Sequence, residues 1–361
     1  MPTRVRSHAK INLGLAIGPV RPDGYHGLTT IYQTLAIHDF VEVTAKRLTG
    51  GEASRIEITC NEPHVPCDAR NTCWKIVERA LSRMKEREKI SAEVHIHIDK
   101  RLPVQGGLGA GSANAIAALI GMEKELGMAL PDPEKLRIAA ETGSDVPLFL
   151  IGGTVLGLGR GEQVSGLPDL PQTRCVLAIP AVRVSTPQAF RDWDRLQAAE
   201  GERENNENNK ENRLTARSPS DRLEQLGRTW AAALMAPQNA FTNSTGVFPS
   251  ISGKDRAENL LLELVRTGIV NDFEEVVFTQ YPSLRGILET LKQSSQDGSP
   301  AIYAALSGSG SALFGLYGTA EESGAAAKRL AAQGIAAYET KTVGRQEYWR
   351  TIIDETGIDE A

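Results

Sequence analysis

The stretch PVQGGLGAGSANAIAAL, Pro103–Leu119, decides how the rest of the chain is read. Glycines stand at 106, 107, 109 and 111, no acidic side chain occurs, and from near Ser112 the residues follow a helical pattern. A loop with almost no side-chain bulk therefore runs into a helix N-terminus, whose first N–H groups lack intrahelical partners and whose dipole end is positive. Such a junction is an anion site, and the missing Cβ atoms let a phosphate chain approach the backbone closely. Taken alone, the stretch reads equally well as a glycine turn packed on a neighbouring element. Gly106 and Gly111 have the G-x-x-x-x-G spacing, but Ser112 and Ala113 follow, so the lysine of a Walker A loop is missing. Neither a G-x-G-x-x-G fingerprint nor a G-x-S-x-G nucleophile elbow is present, which argues against a dinucleotide fold and a serine hydrolase.

Outward from this loop, the first half mixes two periods. RVRSHAKINLGLAI, TIYQTLAIHDFVEVTAK, RIEITC and AEVHIHIDK read as strands. NTCWKIVERALSRMKERE reads as a helix capped by Asn71, with Trp74, Val77 and Leu81 on one stripe. PDPEKLRIAAETG reads as another, with Asp132 as a cap, Pro133 in its first turn and Gly143 at its end. In the second half AENLLLELVRTG and SLRGILETLKQ read as helices. The run from Ala301 onward alternates strand, Gly/Ser loop, strand, helix and strand, the order of a split βαβ unit. The expected fold class is α+β, with helices on a largely antiparallel or mixed sheet.

At 361 residues, 41% of them hydrophobic, the chain is long enough for two cores. Residues 1–172 are expected to form the first domain, with the glycine loop, and 173–361 the second. Within the second, Gln197–Gly227 turns abruptly polar, with NNENN at its centre. It is expected to be a mobile surface insertion, since it cannot bury enough apolar surface to offset its ordering entropy.

The net charge of −5 comes from well-mixed signs without a long basic face, so no nucleic-acid partner is expected. Two uncharged stretches of twenty residues, Pro103–Met122 and Ala301–Ala320, are dominated by Gly, Ser and Ala and are not expected to enter a membrane. INLGLAI near the N-terminus is barely long enough for a signal core and lacks a clear cleavage site, so a cytoplasmic location is expected. Cys60, Cys67, Cys73 and Cys175 have no C-x-x-C spacing and read as free thiols. His95 and His97 share one strand face without an evident third ligand, which favours a polar strand face over zinc.

Three more segments carry polar residues in telling places. SHAKINLGLAI puts Lys10 inside an apolar strand, where a lone lysine lies on an edge or snorkels. TGSDVPLFL puts Asp145 after a helix end and two residues before Pro147, a common place for a helix N-cap. LSGSGSALFGL supplies a second small-residue loop, Ser307–Ser311. Together with PVQGGLGAGSANAIAAL, these segments resemble, in order and across nearly the whole chain, the GHMP small-molecule kinases. The segments AKINLGLAIGPVRPDGYHGLTTIYQTL, PCDARNT, IDKRLPVQGGLGAGSANA, GSDVPLFL and STPQAF are similar to one branch of that family, and KINL followed by RPDGYH is the most diagnostic. Gln105, Ala110 and Ala113 stand where that branch more often has Gly, Gly and Ser.

The resemblance implies a two-domain GHMP kinase fold, with an N-terminal mixed sheet and a ferredoxin-like C-terminal domain. It also implies ATP-dependent phosphorylation of a small molecule, 4-(cytidine 5′-diphospho)-2-C-methyl-D-erythritol, at its tertiary 2-hydroxyl. By the same match Asp145 is the base and Lys10 the stabilising cation. Pro103, Gly106, Gly107, Leu108, Gly109, Ala110, Gly111 and Ser112 hold ATP, with Mg2+ as the expected ion and Ser112 a candidate ligand. Tyr25 and Phe190 sandwich the cytosine, His26 reads its edge, and Asn12 contacts the reacting end. A GHMP kinase for another alcohol, of mevalonate type, and a catalytically silent binding protein are the alternatives. The presence of both Lys10 and Asp145 argues against the silent one.

Overall fold

The computed structural model describes residues 1–49, 52–104, 106–206, 270–293 and 300–355, with the backbone alone for 200–206. Gln105 and the expected helix AENLLLELVRTG lie outside the described residues, as does the insertion from Glu207 to Gly227.

The first sheet is built on β2, His26–Leu48, a strand of 23 residues long enough to pair with three others. Along one side it pairs antiparallel with β1, Thr3–Val20. On its other side the C-terminal half pairs with β4, Ser91–Asp99, and the N-terminal half with β5, Thr154–Leu158. β3, Arg55–Cys60, joins β4 in parallel and β6, Gln163–Gly166, joins β5. The sheet is therefore mixed. Its helices are α1 (Thr72–Glu88), α2 (Ala110–Leu126) and α3 (Asp132–Thr142), followed by a 3-10 turn, Pro147–Leu150.

The second sheet contains β7 (Arg174–Ile179), β8 (Tyr303–Leu306), β9 (Leu313–Tyr317) and β10 (Ala336–Lys341) in the order β10-β7-β9-β8, antiparallel throughout. With α4 (Thr186–Asn206), α5 (Phe273–Gln280) and α6 (Pro282–Lys292) between β7 and β8, and α7 (Ala320–Ala332) between β9 and β10, this is the ferredoxin-like arrangement. A last helix, α8 (Arg345–Thr351), returns to the first sheet, where Ile353 bridges Val5 and Tyr348 and Ile352 join the first core.

The cores follow from strand alternation. Ala9, Ile11 and Leu13 of β1 share a buried cluster with Leu177 of β7 and Phe314 and Leu316 of β9, so the two sheets pack face to face. One core lies under α1–α3 and another under α4–α7, giving the layers helix, sheet, sheet, helix. Lys10 and Asn12, of opposite parity to Ile11, point to the other face of β1. The β1–β2 register slips between His8 and Lys10 and again between Asn12 and Gly14, and such irregularities re-aim side chains beside functional sites.

Local readings meet three differences. Asn71 caps α1 by accepting from the Cys73 N–H at 2.8 Å, as its residue type predicts. Asp132 does not cap α3: Pro131 is the cap residue, and the Asp132 carboxylate pairs with Lys135 at 2.9 Å. Residues 197–206, expected to begin the mobile insertion, continue α4, because Gln, Ala, Glu and Arg favour helix even where nothing apolar is available. The third difference is Lys10: at 2% exposure it neither lies on an edge nor snorkels. His95 and His97 use their strand face for Glu57, 3.0 Å away, and Thr59, 2.8 Å away.

Candidate active site

The glycine loop is held between β1 and the second sheet. The Lys10 N–H donates to Leu108 O at 2.9 Å, the Ala312 N–H donates to Gly106 O at 3.1 Å, and Ser307 Oγ donates to Gly107 O at 2.9 Å. Gly107 has φ +80°, and a Cβ there would sit 2.0 Å from the Ser307 carbonyl oxygen. The two small-residue loops thus require glycine where they touch.

Helix α2 begins at Ala110, two residues earlier than its sequence suggests, because Gly109 takes the left-handed conformation, φ 69°, that starts it. No side chain caps α2, and its first turn has no acidic residue. The N–H groups of Ala110, Gly111 and Ser112 precede the first bond, from the Ala113 N–H to Gly109 O. They open into a cavity of about 360 Å³. Pro103, Val104 and Gly107–Ser112 line it on the loop side, and its wall also includes Val65, Pro66, Arg70–Thr72, Ile98, Lys100 and Asn114. Gly106 is not in the lining and serves instead as the tie to Ala312. Asp39, fully buried, fixes the approach to the loop by accepting from the N–H groups of Arg101 and Leu102 and from Lys100 Nζ, each at 2.7 Å.

Beside this cavity Lys10 and Asp145 meet. The Lys10 stem lies under Gly109, where a Cβ would come within 2.8 Å of its Cγ. Its ammonium is 3.1 Å from Asp145 Oδ2 and donates to Asn12 Oδ1 at 2.7 Å. Asn12 is fixed in turn by donating to Thr30 Oγ1 at 2.8 Å. Tyr32 Oη donates to Asp145 Oδ1 at 3.0 Å. Burial first, then the Asp145 charge, pushes the Tyr32 hydroxyl well above its ordinary range, so Tyr32 keeps its proton and acts as a fixed donor. The Asp145 side chain is 33% exposed against 3% for Lys10, so the carboxylate faces the open side of the pair. Asp145 caps nothing: Val146 is the cap residue of the 3-10 turn, and no side chain bonds there.

Residues 72–153 match the GHMP kinases N terminal domain and residues 255–336 the GHMP kinases C terminal family. A 4-diphosphocytidyl-2-C-methyl-D-erythritol kinase of Solibacter usitatus (strain Ellin6076) is 31% identical over 87% of this chain and 80% of its own length. One of the same name from Acaryochloris marina (strain MBIC 11017) is 34% identical over 86% of each chain. The chain belongs to the 4-diphosphocytidyl-2-C-methyl-D-erythritol kinase family of GHMP kinases.

It is an ATP-dependent kinase. A crystal structure of 4-(cytidine 5′-diphospho)-2C-methyl-D-erythritol kinase shares its fold with TM-score 0.60 and 23% identity, over 94% of this chain and 99% of that one. Homoserine kinase from Cytophaga hutchinsonii does so with TM-score 0.64 and 17% identity, over 96% of both chains.

In this GHMP kinase the residues expected at the base end are arranged differently from a ready slot. The His26 ring stacks on Phe190, centroids 5.1 Å apart and 9° from parallel. Its Nδ1 lies 3.0 Å from Gly18 O and its Nε2 3.1 Å from Asp194 Oδ1. Phe190 has its other ring contact with Phe273, while Tyr25 is 58% exposed and lies against the Arg160 guanidinium at 5.1 Å. The structure thus brings His26 and Phe190 together and leaves Tyr25 apart from them.

Sequence reasoning assigned no role to Tyr32, Asp39, Asp194 or the Val65–Asn71 wall of the cavity. Tyr32 stands two residues beyond Thr30 on β2, opposite Asn12 in the β1–β2 register, and that pairing was the available signal. PCDARNT was visible as a similar segment, yet only the fold shows that Pro66, Arg70, Asn71 and Thr72 line the cavity.

Proposed function

We propose that the protein transfers the γ-phosphoryl group of ATP to the tertiary 2-hydroxyl of 4-(cytidine 5′-diphospho)-2-C-methyl-D-erythritol, a step of the methylerythritol phosphate route to isoprenoid precursors. The observation that carries this is the Lys10–Asp145 pair, 3.1 Å apart, beside a loop whose helix N–H groups open into a nucleotide-sized cavity. The names of the relatives supply the acceptor.

A tertiary alcohol is a hindered, weak nucleophile, so positioning and charge stabilisation carry the reaction. Asp145 accepts the hydroxyl proton as the oxygen–phosphorus bond forms, and ADP leaves with the electrons of the broken bridging bond. Tyr32 and Lys10 hold the Asp145 carboxylate from two sides, which fixes its direction. The Lys10 ammonium stabilises negative charge on the reacting oxygen, and Asn12 holds that ammonium in place. Gly107–Ser112 bind the phosphates through backbone N–H groups.

Mg2+ fits the site modestly. Ser112 lines the cavity and offers a hydroxyl oxygen, whereas both Asp145 oxygens already have partners. When bound, the ion would offset charge on the transferring phosphoryl group. Tyr25, His26 and Phe190 are assigned to the cytosine, with the Phe190 face now covered by His26 becoming available when the base enters. The division into an N-terminal GHMP kinase domain with the phosphate loop, residues 1–172, and a C-terminal GHMP kinase domain, residues 173–361, is also part of this proposal.

The test is product formation from ATP with the cytidylyl substrate and, separately, with mevalonate. The proposal expects a phosphorylated cytidylyl product and little or no phosphomevalonate. Equal turnover of both would point to a broader GHMP kinase, and no ATP consumption with either would support the silent alternative.

A further inference from the structure

We propose that Arg160 is the cation that grips the diphosphate joining the cytidine to the polyol, an inference that rests on the substrate proposed above. A substrate whose base and reacting hydroxyl are separated by a diphosphate must lay at least two negative charges between the two ends of its site. The acceptor end is marked by Tyr32, Lys10 and Asp145, and the base end by Tyr25, His26 and Phe190.

The loop between β5 and β6 lies between these ends. Leu28 N–H donates to Gly159 O at 2.7 Å and Gly161 N–H to Leu158 O at 3.0 Å, which pins the loop to the start of β2. At Gly161, φ 102°, a Cβ would stand 2.4 Å from Tyr32 Oη and 3.9 Å from the carbonyl oxygen of Ser144, the neighbour of Asp145. One residue away, the Arg160 guanidinium reaches in the other direction and stops 5.1 Å from the centre of the Tyr25 ring. Arg160 is thus spliced between a residue of each end.

Its donors are available. The nearest carboxylate, Glu162, is 3.9 Å from Arg160 Nε, and the other Glu162 oxygen accepts from the Arg160 backbone N–H at 2.5 Å. Among the described residues the guanidinium makes no hydrogen bond, and its side chain is 31% exposed. Two other cations of the site are committed: Arg21 pairs with Asp23 at 3.2 Å, and Lys10 pairs with Asp145 and Asn12. An arginine fork presents two parallel N–H groups to a phosphate, a geometry that lysine lacks. With the guanidinium over the Tyr25 ring, a base arriving beside Tyr25 would carry its phosphates past the arginine.

The test measures cytidine and cytidine diphosphate by calorimetry with the nucleotide cavity saturated by a non-hydrolysable ATP analogue. Wild type should bind the diphosphate at least about 10-fold more tightly than the nucleoside, the scale of a charge-assisted pair. Arg160→Gln should reduce that ratio toward unity with cytidine affinity kept within about 2-fold, and Arg160→Lys should fall between. In turnover assays Arg160→Gln should raise KM for the cytidylyl substrate by at least about 10-fold and leave KM for ATP unchanged. A diphosphate preference that survives in Arg160→Gln overturns the role of Arg160 while leaving the substrate reading intact. Wild type that binds neither cytidine nor its diphosphate overturns the substrate reading, and the role of Arg160 with it.

Discussion

The two ends of the acceptor site are built on opposite principles. At the reacting end Lys10, Asn12, Thr30, Tyr32 and Asp145 form one closed chain of hydrogen bonds and an ion pair, and all but Asp145 are buried. At the base end Tyr25 is exposed, His26 at the start of β2 is paired with half-exposed Asp194 of α4, and Phe190 is covered by the His26 ring. The first end is organised before anything binds. In the proposed assignment, the second holds groups that exchange one partner for another when the base arrives. Chemistry should therefore be sensitive to small changes at the first end, and affinity to changes at the second.

The largest effect is expected from Asp145→Asn, which keeps the shape of the carboxylate but removes its basicity. It should lower kcat by about 10²–10⁴-fold with ATP affinity unchanged. Lys10→Met should fall in a similar range, through lost charge stabilisation and an Asn12 left without its donor. Rapid-quench measurement of product formation checks both, and near-normal turnover in either would remove that residue from the chemistry.

Next in size is Gly107→Ala. The added methyl would collide with the Ser307 carbonyl oxygen at a backbone angle that disfavours any side chain. ATP affinity should drop by at least about 10-fold, the scale of one buried hydrogen bond, and calorimetry against an ATP analogue reads it. Unchanged affinity would separate the glycine loop from the nucleotide. His26→Ala should raise KM for the cytidylyl substrate by about 10-fold and spare KM for ATP, which sharpens the contrast between the ends. A mutant with normal kinetics for that substrate would cancel the cytosine assignment.

Much of this was legible because local rules and the fold agreed. RIEITC forms a strand and SLRGILETLK lies within a helix, as their periods predict, and Asn71 caps its helix as its chemistry suggests. The glycine loop could be identified because no other residue type tolerates Gly107 against Ser307. Lys10 could not be placed from its neighbours, since a strand pattern reports alternation and not the irregularities at His8/Lys10 and Asn12/Gly14 that aim it at Asp145. Asp39 and Tyr32 were invisible for the same reason, as their partners are 63 and 113 residues away in the chain. The partner of His26, Asp194, lies 168 residues on, which no local pattern encodes.

A separate effect, on stability and not on turnover, lies away from both ends. Burial lowers His8 from 6.5 to about 4, with Nδ1 donating to Leu35 O and Nε2 buried without a partner among the described residues. Between those values the unfolded chain binds the proton and the folded chain does not, so stability rises with pH across the window and is lost as pH falls through it. The full contribution is about 3 kcal/mol, at 1.4 kcal/mol for each unit. Asp272, raised by burial to about 6, contributes in the opposite sense between its ordinary value of 3.8 and about 6. Comparison of wild type with His8→Gln by urea unfolding at pH 7 and pH 5 isolates the histidine: the mutant should lose less stability on acidification. An equal loss in both would mean that His8 is charged in the folded protein.

In the proposed mechanism a distant base end positions the alcohol for a preorganised reacting end. The most direct measurement is kcat/KM of the wild-type enzyme for 4-(cytidine 5′-diphospho)-2-C-methyl-D-erythritol and for 2-C-methyl-D-erythritol 4-phosphate, which lacks the cytidine. Remote binding energy spent on positioning should make the truncated substrate worse by about 10⁴-fold or more, with kcat reduced as well as affinity. Comparable kcat/KM for the two would contradict the account, since the reacting end would then need nothing from Tyr25, His26 and Phe190.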